Sequence, residues 1–140
     1  MTLQAILLPL FVQVGLTFVL LFWMGGVRVR ALRRGEVKMR DIALGQPAWP
    51  ERATQIANCY HNQFQIPVLF YLVVVLAIVA RKADLLFVIM SWIFVLLRIL
   101  HAYIHATSNH VPRRFYAFLV ASIVLLMMWI IFAIRVLAAV

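Results

Sequence analysis

Gln55-Ile56-Ala57-Asn58-Cys59-Tyr60-His61-Asn62-Gln63-Phe64-Gln65-Ile66-Pro67 opens a long apolar run that continues through Val68-Leu69-Phe70-Tyr71-Leu72-Val73-Val74-Val75-Leu76. On a helix, Gln55, Asn58, Asn62 and Gln65 fall at i, i+3, i+7 and i+10, which is one face. The other face carries Ile56, Phe64 and Ile66. A row of amides at the head of a membrane-length helix is costly against lipid, so it belongs against protein, water or a polar ligand. Pro67 lacks an N–H and is expected to free the carbonyl of Gln63, kinking the helix beside the row.

Composition places that helix in a bilayer. The 140 residues are 66% hydrophobic and 12% charged, with a mean hydropathy of +1.04. A soluble domain is about half apolar and about a quarter charged. The chain therefore reads as an integral membrane protein. Its 13 Lys and Arg against 4 Asp and Glu give a net charge of +9. In a soluble chain that excess would suggest nucleic acid. Here it concentrates between apolar runs, so topology and anionic lipid account for it and no nucleic-acid partner is expected. Cys59 stands alone, which excludes an internal disulfide. The N-terminal apolar run has no basic leader and no small-x-small site, and reads as a span rather than a cleavable signal.

Working outward, four spans are expected at about 3–24, 55–80, 85–106 and 115–139, in one domain covering 1–140. Gly25-Gly26 is expected to end the first helix, and a basic loop follows over 27–54. That loop holds Arg28, Arg30, Arg33, Arg34, Lys38, Arg40 and Arg52, seven of the 13 basic residues. It should be cytoplasmic, together with the third loop, leaving both termini outside. The expected setting is a multi-pass protein of a bacterial inner membrane. The fold class is an all-α membrane protein, an antiparallel bundle of four transmembrane helices. So small a bundle leaves much apolar surface for lipid or sister subunits.

This topology brings a second polar row to the first. Arg98, His101 and His105 lie at i, i+3 and i+7 on the third span. At ~1.5 Å per residue, Gln65 and Arg98 both sit roughly 10–15 Å below the cytoplasmic surface. Arg113 and Arg114 begin the fourth span at that surface, where Arg28 to Arg34 leave the first. The result is a cationic, amide-lined pocket suited to an anionic, amide-rich small molecule. Arginines beside a bound thiol would lower its pKa and make a thiolate nucleophile, while the same pocket could instead hold an acidic lipid headgroup.

Structural readings compete with these. Arg98 could pair with Glu51, Asp41 or a helix carbonyl, and the amides could be interhelical glue. His101 and His105 have the i, i+4 spacing that places two imidazoles on one metal, but the cationic surroundings oppose it and no metal is expected. Cys59 reads as a small packing residue.

The four spans, the long basic first loop, Glu51-Arg52 and the run Asn62-Gln63-Phe64-Gln65-Ile66-Pro67 resemble the MAPEG family, the membrane-associated proteins of eicosanoid and glutathione metabolism. The run Arg98-Ile99-Leu100-His101-Ala102-Tyr103 resembles that family's Arg-x-x-(His/Tyr) element of the third span. The likeness covers nearly the whole chain and is closest in kind to the microsomal glutathione transferases. It implies a homotrimer with active sites between subunits toward the cytoplasm. It also implies glutathione as co-substrate and a lipophilic electrophile drawn from the membrane, in a transferase or peroxidase reaction. Carried over by motif, Arg113 or Arg114 takes the thiolate-holding, catalytic role. The implied substrate-binding set is Arg30, Arg52, Asn58, Asn62, Gln65, Arg98, His101 and His105. Two positions depart from the family pattern: Asn58 stands where an arginine is usual, and Gln65 stands where a glutamate usually receives the glutathione amino group. The rival expectations are a non-catalytic membrane scaffold and a lipid-binding subunit of a larger complex.

Overall fold

The computed structural model describes residues 1–139. Helix α1 runs Leu3–Arg33, α2 Glu51–Asn62, α3 Ile66–Val79, α4 Leu85–Ala106 and α5 Val111–Leu137, with a short 3-10 turn at Met39–Asp41. No strand occurs among the described residues. Four segments are long and apolar enough to cross a membrane: Leu3–Arg33, Glu51–Val79, Leu85–Ala106 and Val111–Leu137. Contacts at both ends show that they alternate in direction. Arg135 at the end of α5 pairs with Asp84 at the head of α4, at 2.8 Å. Arg52 at the head of α2 donates to the carbonyl of Ala106 at the end of α4, at 2.6 Å.

The boundaries differ from the sequence expectation in three places. First, α1 does not end at Gly25-Gly26 but continues to Arg33. Each interior glycine costs about 1 kcal/mol relative to alanine. The residues beyond offset this: Ala31 is buried, as is Ala53 on α2, and Arg30 and Arg33 in the last turn suit the helix dipole. The real stop is Gly35, at φ +71. Its N–H donates to Leu32 O and that of Glu36 to Ala31 O, which is a Schellman ending. The basic loop of 27–54 therefore shortens, and Arg28, Arg30 and Arg33 stand on helix.

Second, the second span is not one kinked helix. Helix α2 stops at Asn62 and α3 restarts at Ile66, with Pro67 in its first turn, where a missing N–H costs nothing. Between them Gln63, Phe64 and Gln65 make tight i to i−3 backbone bonds. Third, α5 begins at Val111 rather than near 115, so Arg113 and Arg114 belong to its first turn.

Packing divides the bundle in two. The half nearer the chain termini is an apolar cluster of Phe70, Val73, Val74, Phe87, Phe94, Leu125 and Met128, with the rings of Phe70 and Phe94 stacked 4.7 Å apart. A smaller cluster of Leu20, Ile56, Cys59, Ala102 and Ala106 fills the basic end. Helix α4 is the central element: residues 87, 90/91, 94/95, 98, 101/102 and 105/106 form one buried stripe. Arg98, His101 and His105 therefore continue the core seam of α4 into the basic end.

Candidate functional site

The break between α2 and α3 builds the site. It turns Gln63 N away from Cys59 O and onto Tyr60 O, so a side chain must satisfy the Cys59 carbonyl within the membrane. Gln63 donates through Nε2 to Cys59 O at 3.0 Å and accepts from Gln13 Nε2 at 3.0 Å. Arg98 reaches across from α4 to donate through Nη2 to Asn62 O at 3.2 Å and to Asn62 Oδ1. Asn62 Nδ2 in turn donates to Gln65 Oε1 at 2.9 Å. Gln13 and Gln63 were not singled out by the spacing argument. The one signal for Gln13 was an amide inside an apolar run, and Gln63 lies off the amide row.

Arg98 is 0% exposed. Of the carboxylates suggested for it, neither is its partner: Asp41 lies against Arg40, and the ion pairs among the described residues are Arg40–Asp41 and Arg135–Asp84. The helix carbonyl was the structural alternative that the fold adopts. Nε and Nη1 of Arg98, and Nδ1 of both His101 and His105, have no hydrogen-bond partner. The two imidazoles lie edge to face, 5.6 Å between centroids, and the Arg98 guanidinium lies 5.9 Å from the ring of Phe118.

A cleft of about 270 Å³ opens beside this cluster, lined by Asn62, Gln65, His101, His105, Val111, Arg114, Phe115 and Phe118. Arg114 is half-buried, and its Nη1 donates to Asn109 Oδ1 at 2.7 Å. Asn109 holds φ +52, a left-handed conformation that asparagine tolerates well. Arg113, one residue earlier, turns to a different groove of about 580 Å³, lined by Leu97, Leu100, Tyr103, Ile104, Tyr116 and neighbours.

The expected residues thus divide. Asn62, Gln65, His101, His105 and Arg114 share one cleft, with Arg98 behind Asn62. Asn58 is exposed and lies outside that lining, so the amide row does not act as one face. Gln55 ties α2 to the end of α4 through His105 O and Thr107 O, at 2.9 and 3.0 Å. Arg30 and Arg52 line a separate groove of about 300 Å³ with Trp23, Arg34 and Glu36. Cys59 is buried, its Sγ 3.5 Å from Ala102 O, as a packing residue would be.

The MAPEG family model matches residues 6–134, nearly the whole chain. No curated protein matches. No solved structure matches.

Proposed function

The chain belongs to the MAPEG family, and from that premise we propose that it is a glutathione transferase or peroxidase that holds glutathione, or an anionic thiol like it, in the cleft lined by His101, His105 and Arg114, with Arg98 behind it. The observation that carries this reading is Arg98: a fully buried guanidinium with two unpaired N–H-bearing atoms and no carboxylate partner. An unpaired buried charge costs several kcal/mol, and an anionic ligand offsets that cost. Arg114 adds a second cation in the first turn of α5, where the helix dipole already disfavours positive charge and favours an anion.

In this proposal the carboxylates and peptide groups of the ligand meet arginine, imidazole and amide donors, and Arg114 lies nearest the sulfur. A thiol ordinarily titrates near ~8.5. Each unit by which Arg114 lowers that value stabilises the thiolate by about 1.4 kcal/mol. The thiol proton passes to solvent. The sulfur lone pair attacks an electrophilic carbon of a lipophilic substrate entering from the bilayer. The C–S bond forms as the leaving group departs with its bonding pair.

The test is ultraviolet thiolate absorbance on adding glutathione, with conjugation of a lipophilic electrophile read alongside. Arg114→Ala is expected to lose thiolate and to cut turnover by about 10²–10³, the effect of removing one stabilising donor. Arg113→Ala, facing the other groove, should leave both near wild type. Wild type that neither binds nor turns over the thiol sinks the enzyme reading. A lipid-binding scaffold is the second reading, and the groove of Arg30, Arg34, Arg52 and Trp23 favours it. Anionic lipid bound there without thiol turnover would establish it.

A further inference from the structure

The groove that Arg113 enters shares α4 and α5 with the cleft of His101, His105 and Arg114, but no lining residue. It measures about 580 Å³, against about 270 Å³ for the cleft. Its character changes with depth. Ser108, between the two helices, and Arg113, in the first turn of α5, stand at the mouth, at the basic end of the bundle. At ~1.5 Å per residue, Tyr116 lies about 4–5 Å deeper than Arg113 and Val120 about 10 Å deeper. Tyr103, one turn before the end of α4, stands at the level of Tyr116, and both rings are exposed. Below them the walls are Leu97, Leu100 and Val120, and the floor is the buried Ala117, whose single methyl leaves the groove open.

Each level matches one level of a phospholipid. Arg113 is exposed, and its guanidinium makes no hydrogen bond or ion pair to the described residues. A guanidinium presents paired N–H donors to a phosphate. Tyrosines suit the boundary between headgroups and hydrocarbon, where one end is wet and the other apolar. The leucines and Val120 lie at acyl depth. No carboxylate lines the groove to take the ammonium of a zwitterionic headgroup. Arg28, Arg30, Arg34 and Arg52 at the same end of the bundle favour an anion further. A soluble phosphate would use only the mouth, so the apolar depth of the groove commits it to a lipid.

We propose that the groove between α4 and α5 is a binding site for an anionic phospholipid, with its phosphate on Arg113 and an acyl chain along Leu97, Leu100 and Val120. The site is separate from the thiol cleft and stands whether or not that cleft holds a thiol.

Native mass spectrometry of the purified full-length protein in mild detergent reads the bound lipid directly. The probes are dioleoyl phosphatidylglycerol and dioleoyl phosphatidylcholine, titrated separately. Wild type is expected to bind phosphatidylglycerol about fivefold more tightly, the effect of one basic residue facing an anionic lipid. Arg113→Ala should remove that preference and leave phosphatidylcholine unchanged, while Arg113→Lys should restore most of it. Val120→Trp, at an exposed wall position, should fill the groove and weaken both lipids. Glycerol phosphate, the headgroup without its chains, should not displace the lipid. Thermal unfolding of each variant confirms that it is folded. Equal affinity for the two lipids in wild type leaves only a nonspecific lipid shell and overturns the inference. So does an unchanged preference in folded Arg113→Ala. Loss of the preference in Arg34→Ala instead would place the lipid in the groove of Arg30 and Arg52. Displacement by glycerol phosphate would show that the mouth alone binds phosphate, which also overturns it.

Discussion

Gln13 and Gln63 meet in the middle of the bundle, 0% and 1% exposed. Their pairing decides how two substitutions should rank. Gln13→Leu strands one acceptor, Gln63 Oε1. Gln63→Leu strands two groups, the Gln13 amide and the Cys59 carbonyl that the helix break exposes. A buried unsatisfied group costs about 1–3 kcal/mol, although hydrogen bonds within membranes average nearer ~0.6. Thermal unfolding in detergent should therefore place Gln63→Leu below Gln13→Leu by about 1 kcal/mol. Equal midpoints would mean that water reaches the break. Arg98→Ala strands Asn62 Oδ1 and leaves a cavity, while Asn62 O keeps its bond from Gln65 N, so a loss of about 1–3 kcal/mol is expected in the same assay. At this scale the sequence was legible where spacing alone decides. Arg98, His101 and His105 do share a buried stripe, because strict helical offsets survive in an unbroken helix. Arg113 and Arg114 were not separable, since neighbours on a helix point about 100° apart and only the phase of α5 assigns each to a groove.

Among the elements, the glycines of α1 carry opposite expectations. Gly26 is exposed within a helix and a Cβ there meets nothing within 4 Å, so Gly26→Ala should stabilise by about 0.5–1 kcal/mol. Gly35 holds φ +71 at the helix end, and Gly35→Ala should cost about 1–2 kcal/mol. If unfolding midpoints move the other way, Gly35 is not the stop. At the head of α4, Asp84 accepts from Phe87 N at 3.0 Å and pairs with Arg135. The Arg135 guanidinium holds its carboxyl below the ordinary value. A depressed native pKa contributes stability that is full above the unfolded value, about 3.9, and is lost as pH falls through the native one. Asp84→Asn retains a capping acceptor, so it should flatten the acid-side fall in stability below about pH 5 without unwinding α4. The helix ends explain what the sequence could not disclose. A membrane helix tolerates proline either by kinking or by stopping. Which occurs at Pro67 depends on whether the Gln63 side chain reaches the exposed Cys59 carbonyl, and that depends on the fold. Gly25-Gly26 looked like an end because the alanine packing that carries α1 past it is a contact with α2.

For the whole molecule, one end of the bundle carries Arg28, Arg30, Arg33, Arg34, Lys38, Arg40, Arg52, Arg113 and Arg114, and the other carries Arg81, Lys82 and Arg135. By the positive-inside rule the first end should face the cytoplasm. Leu44, 90% exposed in the first loop, is the place to test it: Leu44→Cys should label only from the cytoplasmic side. Assembly follows from a different imbalance. Asn58 and Gln65 are exposed polar residues within Glu51–Val79, a segment of membrane-spanning length. Gln65 also opens on the cleft, so a lone bundle would turn that cleft toward hydrocarbon at its own depth. Amides exposed to lipid are costly, whereas amides between packed helices are a recurrent means of association. A neighbouring copy that covers this face resolves the cost and closes the cleft to lipid, and a closed ring of copies does so for every subunit. With the three copies that the family resemblance implies, the expected particle in mild detergent has three times the mass of the 16.1 kDa chain. Asn58→Arg and Gln65→Leu, made in the same face, should weaken it without unfolding the subunit. A monomeric particle with full thiol binding would show that the cleft is complete within one chain.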